Sequence, residues 1–136
     1  MKVSRKIVLV VGFLVLVLGV MAGGRYLIRE RVDQQRPVIV PNLSADGVRG
    51  EAVFAANCAG CHGKNAAGTD KGPPLINPIY SPSHHSDFSF VRAVTLGVPQ
   101  HHWLFGPMPA QPGMDRTQIN QIVVYIRELQ KANGIR

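Results

Sequence analysis

The sequence predicts an all-α domain that follows one apolar N-terminal segment. From residue 44 onward, short stretches with apolar residues at helical spacing alternate with loops rich in Gly and Pro, and no pair of alternating strands flanks a hairpin turn. Before them, the eighteen residues from Ile7 to Gly24 are uncharged and mostly Val, Leu, Ile and Phe. We therefore predict a membrane anchor at residues 1–30, an extended linker at residues 31–43 and a helical domain at residues 44–136.

The length and the charge distribution exclude several other classes of protein. The 136 residues are enough for one small domain with some additional sequence. The net charge is +7, but residues 1–40 hold seven basic and two acidic residues, whereas residues 41–136 have a net charge of only +2. The domain therefore lacks the basic surface that nucleic acids require, and we expect no nucleic-acid partner. Two cysteines are also too few for a disulfide-rich fold.

The apolar N-terminal run is long enough to span a membrane. As a helix it measures about 27 Å, close to the ~30 Å thickness of the hydrocarbon core. An uncleaved anchor is favoured because the run exceeds the ~7 to 15 apolar residues of a signal peptide, and the alternative is cleavage after Ala22. Basic residues flank both ends, Lys2, Arg5 and Lys6 before the run and Arg25 after it, so charge does not fix the orientation.

A linker and a first helix follow the anchor. Pro37 and Pro41 bracket three apolar residues and favour an extended, semi-rigid spacer. Ser44 is a suitable cap for a helix that ends near Asn57, in which Gly50 would allow close approach of a partner helix. The residues expected to face the core are Val48, Ala52, Val53 and Phe54.

A second helix and two long loops occupy the middle of the domain. We expect the helix at about Phe88–Leu96, with Asp87 as its N-terminal cap and Gly97 at its end. The loops, residues 63–86 and 98–114, are unusually long for a small domain unless they wrap a ligand. A large apolar cofactor would explain them and would add buried surface that a small domain has difficulty supplying.

The last helix carries the clearest signals. Asp115 begins it, Gln118 completes a capping box three residues later, and Gly134 follows its end. Its predicted apolar stripe comprises Ile119, Ile122, Val123, Ile126 and Leu129, with Tyr125 beside it.

One sequence motif indicates a cofactor attachment site. Cys58-Ala59-Gly60-Cys61-His62 has the spacing of a c-type haem attachment site. On a helical turn the two thiols can each reach one vinyl group of the porphyrin, and His62 can present its imidazole to the iron. A thioredoxin-like dithiol, half of a zinc site and a plain disulfide are the alternatives. The first belongs in a βαβ context that this sequence does not show, and the second needs another ligand pair, for which the four loop histidines are irregularly spaced.

The domain resembles a small class I cytochrome c over nearly the whole of residues 44–136. Besides the haem motif, the resemblance rests on Gly50 and Phe54 in the first helix and on Ile122 and Tyr125 in the last. It implies that these two helices cross at the small residue, that the Gly/Pro-rich loops wrap the haem, and that one haem c with its iron is bound covalently.

The resemblance also assigns roles on the histidine side of the haem. It includes Gly72-Pro73-x-Leu75 and implies that the carbonyl of Pro73 accepts a hydrogen bond from the second ring nitrogen of His62. That contact would fix the tautomer of His62 and raise its basicity as a ligand. Leu75 would pack on the haem face.

The sixth iron ligand decides between an electron carrier and an enzyme. Met108 lies between Pro107 and Pro109, the kind of Met-Pro context in which the family places its distal methionine, and the prolines stiffen the loop. Met114 precedes the cap of the last helix, where packing is the simpler role. A Met/His iron has a raised potential and no open position for a substrate.

Two features of the loops have more than one interpretation. The pairs His84-His85 and His101-His102 are expected to face solvent, and the alternatives are copper binding, contact with a haem propionate and replacement of Met108. Trp103, Leu104 and Phe105 are expected to pack on the methionine side of the haem, with the Trp103 N–H free for a propionate. The alternative for this cluster is an exposed patch that docks a partner.

The function predicted is single-electron transfer between respiratory redox partners by a membrane-anchored carrier that is not itself an enzyme. The resemblance implies a haem domain in the bacterial periplasm, on a single-pass inner-membrane anchor. It also implies partners such as a quinol:cytochrome c oxidoreductase, a terminal oxidase or a dehydrogenase. The alternatives are a dedicated cytochrome subunit of an oxidoreductase complex and a haem peroxidase or gas sensor with an open sixth position.

Overall fold

The computed structural model describes the main chain of residues 5–34 and 37–136 and the side chains of residues 6–25 and 37–136. Helix α1, Arg5–Gln34, contains the apolar run, and its Lys6–Arg25 portion has a mean hydropathy of 2.8 and is long and apolar enough to cross a membrane. The helix continues beyond residue 30, so the prediction that an extended linker begins at residue 31 is wrong. Residues 1–4 of the predicted anchor and residues 35–36 of the predicted linker lie outside the described residues.

The rest of the predicted linker, residues 37–43, lies on the helical domain. The amide of Ile39 donates to the side-chain oxygen of Asn133 at 3.0 Å, and the side-chain amide of Asn133 donates back to the Ile39 carbonyl at 2.8 Å. Val38 and Leu43 pack against the main hydrophobic core. This segment is therefore part of the domain and not a free spacer.

Four helices form the domain: α2 Ala45–Asn57, α3 Ala59–His62, α4 Asp87–Leu96 and α5 Arg116–Ala132. Single 3₁₀ turns at Lys64–Ala66 and Pro78–Tyr80 interrupt the first long loop. Across residues 37–136, the β-type pairing consists of one isolated bridge between Val98 and Met108. The predicted all-α class is confirmed.

Helix α2 buries a different set of residues from the set that the sequence predicts. Its cap is confirmed, because the Ser44 side chain accepts a hydrogen bond from the Gly47 amide at 3.0 Å. Phe54 is 2% exposed and Val53 is half-buried, as expected. The inward placement of Val48 and Ala52 is wrong, since both are exposed. The buried residues of this helix are Gly47, Gly50 and Phe54.

The close approach of α2 to α5 explains that difference. A Cβ atom at position 50 would overlap the carbonyl of Gln121 and lie 2.9 Å from the Cβ of Tyr125, so the two backbones meet where a side chain has no space. The rings of Phe54 and Tyr125 pack beside this point, with centroids 5.6 Å apart. Two helices this close bury the stripe centred on the glycines and leave the flanking Val48 in solvent.

Helix α5 matches the sequence prediction. The carboxylate of Asp115 accepts from the Gln118 amide at 2.8 Å, and the Gln118 side chain accepts from the Asp115 amide at 3.1 Å, which completes the capping box. Gly134 follows the helix with a φ of +79°. Every residue of the predicted stripe is buried, as is Tyr125: Ile119, Ile122, Val123, Tyr125, Ile126 and Leu129.

Helix α4 begins one residue earlier than predicted. Ser86 occupies the cap position, and Asp87 is the first helical residue. The Asp87 carboxylate instead accepts a hydrogen bond from Arg127 of α5 at 2.7 Å. Gly97 ends the helix with a φ of +75°, as predicted.

Two polar residues of α5 hold the first long loop in place. Arg127 donates to the carbonyls of Tyr80 and His85. Gln130 is 1% exposed and donates to the carbonyls of Leu75, at 3.0 Å, and Tyr80, at 3.1 Å. These bonds satisfy main-chain acceptors that would otherwise be buried without partners, so the loop is attached to the helix along its length.

Candidate functional site

A cavity of about 480 Å³ opens between α2, α4, α5 and the two long loops. Its size lies within the ~300 to 1,000 Å³ range of small-molecule and cofactor sites. Aliphatic and aromatic side chains supply most of its wall, and a few residues with nitrogen or sulfur donors interrupt them. Those donors include Cys58, His62 and Met108.

The Cys-x-x-Cys-His motif folds as a tight helical turn at the end of α2. The amide of His62 donates to the Cys58 carbonyl at 2.9 Å, and the amide of Cys61 donates to the same carbonyl at 3.1 Å. Cys58 and His62 line the cavity, whereas Cys61 is exposed. Both thiols are free. Burial, with a smaller contribution from Cys61, raises the pKa of the Cys58 thiol to about 11, so the neutral thiol predominates at neutral pH.

His62 is oriented by one main-chain contact. Its Nδ1 lies 2.9 Å from the carbonyl oxygen of Pro73, the contact that the cytochrome resemblance implies. A carbonyl oxygen can only accept, so Nδ1 carries the hydrogen and Nε2 keeps the lone pair with which an imidazole binds a metal. Burial lowers the pKa of His62, and the hydrogen bond to Pro73 partly offsets that effect. The neutral, ligating form of the ring is therefore favoured.

The chain after the motif folds back to place Pro73. The amide of Gly68 donates to the His62 carbonyl at 2.6 Å, and the amide of Leu75 donates to the Ala66 carbonyl at 2.9 Å. Leu75 is 9% exposed, belongs to the main hydrophobic core and lines the cavity. The fold thus brings the carbonyl of Pro73 and the side chain of Leu75 to the same wall as His62.

Met108 approaches the same cavity from the second long loop. Its amide donates to the Val98 carbonyl and its carbonyl accepts from the Val98 amide, both at 2.9 Å. This reciprocal pair closes the loop between them and sets the position of the methionine. Met114 packs between the two hydrophobic cores and is not among the cavity residues. The structure therefore brings Met108, and not Met114, to the cavity that His62 lines.

A family model described as Cytochrome c matches residues 47–130, more than half of the chain. The chain belongs to the cytochrome c family. Its cofactor is haem c, the covalently bound iron porphyrin of that family. No curated protein and no solved structure compared with the chain gave a significant match.

The residues of this cytochrome domain fit haem c. Two free thiols stand three residues apart on one turn, the adjacent imidazole keeps Nε2 available, and the cavity beside them has an apolar wall. One porphyrin needs those three features together. The long loops predict a large apolar cofactor, and the apolar wall of this cavity suits one.

The aromatic cluster before Met108 differs in part from its prediction. Trp103 and Phe105 line the cavity of the cytochrome domain, but Leu104 is 94% exposed and does not. The Trp103 indole N–H donates to the hydroxyl of Tyr80 at 3.0 Å, so it is not free for a propionate. That bond joins the second long loop to the first.

Tyr80 is a cavity residue that sequence reasoning missed. It lies in the 3₁₀ turn Pro78–Tyr80, which Asn77 begins by accepting the Ile79 amide at 3.0 Å. Burial raises the pKa of Tyr80, and donation by Trp103 partly offsets that effect. The run Asn77-Pro78 was a usable signal, since Asn followed by Pro favours the start of such a turn.

The four loop histidines are mostly exposed, as predicted: His84, His101 and His102 are exposed, and His85 is half-buried. The two pairs also lie together, since the rings of His84 and His102 are 5.5 Å apart and those of His85 and His102 are 5.3 Å apart. His85, His101 and His102 line the rim of the cytochrome cavity. Arg92, on the exposed side of α4, reaches the same rim.

Proposed function

We propose that this cytochrome is a membrane-anchored carrier of single electrons, with thioether bonds from Cys58 and Cys61 and axial iron ligands from His62 and Met108. When bound, haem c supplies an iron centre that alternates between the ferric and ferrous states. The protein then needs no acid, base or nucleophile of its own. Its residues hold the ligands, exclude water and leave one edge of the site open to a partner.

The observation that carries the proposal is that His62 and Met108 line one cavity and are each fixed by the main chain. Pro73 holds the His62 ring, and the reciprocal pair with Val98 holds Met108. A hydrogen bond to the distant ring nitrogen increases the basicity of a ligating histidine. A thioether raises the potential of haem iron. With both residues as its ligands, the iron would have no open position for a substrate, which favours electron transfer over substrate binding.

The apolar residues around the ligands have a second role in the proposal. Leu75 contributes to both the cavity wall and the core, so water has little access from that side. Cys61 is exposed, which favours entry and exit of electrons at the thioether edge. Trp103 and Phe105 cover the cavity on the Met108 side.

We also propose that α1 is a single-pass anchor in a bacterial inner membrane and that residues 37–136 form the haem domain in the periplasm. The length and hydropathy of Lys6–Arg25 support the anchor. Attachment to a membrane through α1 would keep the domain near membrane-bound partners and raise its effective concentration there. A quinol:cytochrome c oxidoreductase, a terminal oxidase or a dehydrogenase would suit this placement.

A visible spectrum of the oxidised, haem-loaded protein tests the proposed ligands. Methionine sulfur bound to ferric iron gives a weak charge-transfer band at long wavelength, and we expect this band. Carbon monoxide added to the reduced protein should leave the spectrum unchanged, because no axial position is open. Loss of the band together with carbon monoxide binding would instead support a peroxidase or gas sensor.

A dedicated subunit of an oxidoreductase complex is the second candidate, and exposed apolar side chains favour it. Leu104, in the second long loop, is 94% exposed, and Phe88, in α4, is 67% exposed. Large exposed apolar side chains of this kind can contribute to a surface that docks a partner protein. Purification from a detergent extract separates the two candidates. A catalytic protein that copurifies in a constant ratio supports the subunit, and a cytochrome that elutes alone supports the free carrier.

A further inference from the structure

Two loops bring four imidazoles together, three of them, His85, His101 and His102, at the cavity and the fourth, His84, beside His85. His84 and His85 lie just before α4, and His101 and His102 lie in the loop that leads to Met108. One ligand nitrogen from each of His84, His85 and His102 lies within 4.8 Å of the other two. The ring centroids of His101 and His102 are 4.2 Å apart. Neither the haem motif nor the proposed axial ligands account for this cluster.

We propose that His84, His85 and His102 form a binding site for one divalent transition-metal ion, with Cu²⁺ bound most tightly. The ion would join the segment before α4 to the loop that holds Met108. This site is separate from the haem iron and goes beyond the proposed electron-transfer function.

The spacing of the nitrogens supports a site that needs only a small closure. Imidazole nitrogens bind these ions at about 2.0 to 2.1 Å, so two ligands of one ion lie at most about 4 Å apart. The observed 4.8 Å limit exceeds that distance by less than 1 Å. His84 and His102 are exposed, so rotation of their side chains can supply the closure without disturbing the core.

One of the three rings is already oriented in the manner of a metal ligand. Nδ1 of His85 lies 2.6 Å from the carbonyl oxygen of Ile79. The carbonyl can only accept, so Nδ1 carries the hydrogen and Nε2 keeps its lone pair. Metal-binding histidines commonly donate their second N–H to a carbonyl in this way. The main chain of His85 is itself held by Arg127 of α5.

The two loops are also held together without an ion. Trp103, next to His102, donates to Tyr80, and the ring of Tyr80 packs against His85 with a centroid distance of 5.1 Å. The histidines are therefore already close in the absence of metal. Metal binding then has only a small entropic cost, because the two loops need not be brought together.

The donor set selects the class of ion. The three side chains closest together are all imidazoles, which suit copper, zinc and nickel, whereas magnesium and calcium prefer oxygen ligands. Among the divalent ions of the first transition row, copper forms the most stable complexes with such sites.

Metal titration of the full-length, haem-loaded protein in detergent tests the proposal. We expect one Cu²⁺ per haem iron, a Cu²⁺ electron paramagnetic resonance signal with nitrogen splitting, weaker binding of Zn²⁺ and none of Mg²⁺. His84→Asn and His102→Asn should each weaken Cu²⁺ binding at least tenfold, since even loss of a group behind a ligand costs ~10- to 100-fold. Ser83→Ala, beside His84 and exposed, is the matched control and should change the affinity less than twofold.

Two results would overturn the proposal. Unchanged Cu²⁺ affinity in the His84→Asn/His102→Asn double variant would place the copper elsewhere on the protein. Copper binding by the haem-free protein but not by the haem-loaded protein would show that the haem, for example through a propionate, occupies the cluster. Both variants alter exposed side chains, and thermal unfolding without metal verifies that they fold like the parent protein.

Discussion

The two sides of the cavity are built in different ways. On one side, the motif segment (residues 58–75) is held by its own main chain, with Gly68 bonded to His62 and Leu75 bonded to Ala66. On the other side, the methionine loop (residues 97–109) is closed at its ends by the Val98–Met108 pair, and side chains support its middle. Those supports include Gln100, which accepts the Gly106 amide at 3.0 Å, and Trp103, which donates to Tyr80.

This difference indicates which side of the cavity substitutions should disturb more easily. Ala66 is fully buried in the motif segment, whereas Leu104 is 94% exposed in the methionine loop. Local bonding preorganises the motif segment around His62. The methionine loop has bonds within itself and one support from a residue far away in sequence, the Trp103–Tyr80 bond, and it also carries two of the four clustered histidines. We therefore expect substitutions that disturb this support to affect the methionine side first.

The largest effect should come from Arg127→Ala, which removes bonds that hold the first long loop. Arg127 supports the methionine loop only indirectly, through Tyr80. Arg127 donates to Tyr80, His85, Asp87 and Gln130, and its loss removes the donor to the His85 carbonyl and to the side-chain oxygen of the buried Gln130. We expect the free energy of unfolding to fall by about 3 kcal/mol, because hydrogen bonds to charged groups are among the strongest. Urea unfolding measures it. Arg116→Ala, at an exposed site on the same helix, should change stability by less than about 0.5 kcal/mol, and equal losses in both variants would contradict the assignment.

Met108→Ala tests the chemistry of the methionine loop. Without the thioether we expect the midpoint potential to fall by at least about 0.1 V, equivalent to about 2.3 kcal/mol per electron. Met114→Ala is the control, because Met114 packs between the two hydrophobic cores. It should reduce stability and leave the potential nearly unchanged. Redox titration of the two variants measures both effects, and an unchanged potential in Met108→Ala would remove Met108 from the iron.

Gly97→Ala tests how tightly the methionine loop is closed. Gly97 has a φ of +75°, and a Cβ there would lie 2.7 Å from the carbonyl oxygen of Met108. We expect a loss of about 1 to 2 kcal/mol and a weaker sulfur-to-iron band. Gly106→Ala separates the two causes, since Gly106 has a φ of +85° but open space around its Cβ position. It should show the conformational cost alone, and an equally weakened band there would exclude the contact with Met108 as the cause.

Local sequence patterns predict the motif side and α5 well, because short-range chemistry determines both. The Asp115/Gln118 capping box and the buried stripe of α5 follow from residues within a few positions of each other. The same holds for the turn that places Cys58 and His62. Gly50 is also informative, since a glycine inside a helix with apolar neighbours favours close packing of a second helix.

Long-range pairing explains what the sequence does not predict. Asn133 binds the main chain of Ile39 across 94 residues, and this pairing fixes residues 37–43 on the domain. Trp103 reaches Tyr80 across 23 residues, which takes up the N–H expected to meet a propionate. No local pattern reports such pairs. The clustering of two separate histidine pairs has the same origin.

The smallest expected effects concern two tyrosines, the half-buried Tyr80 and the buried Tyr125. The Tyr80 hydroxyl accepts from Trp103 at 3.0 Å, whereas the Tyr125 hydroxyl makes only a long contact, 3.4 Å, with Asn65 of the motif segment. Tyr80→Phe should therefore cost about 1 kcal/mol at pH 7, and Tyr125→Phe less than about 0.5 kcal/mol. Urea unfolding at pH 7 measures this difference, and equal losses would contradict the stronger role given to the Trp103 bond.

At alkaline pH, the effect of Tyr125→Phe on stability changes sign. Burial, with a contribution from Glu51, raises the pKa of Tyr125 to about 12. The folded state thus disfavours the phenolate, and this contribution to stability is complete below about pH 10 and is lost as the pH rises toward 12. Between pH 10 and pH 11, the free energy of unfolding of Tyr125→Phe should rise by about 1 kcal/mol relative to that of the parent protein, because phenylalanine has no proton to lose. Unfolding curves at pH 7, 10 and 11 test this, and a constant difference between the two proteins would show that Tyr125 ionises equally easily in the folded and unfolded states.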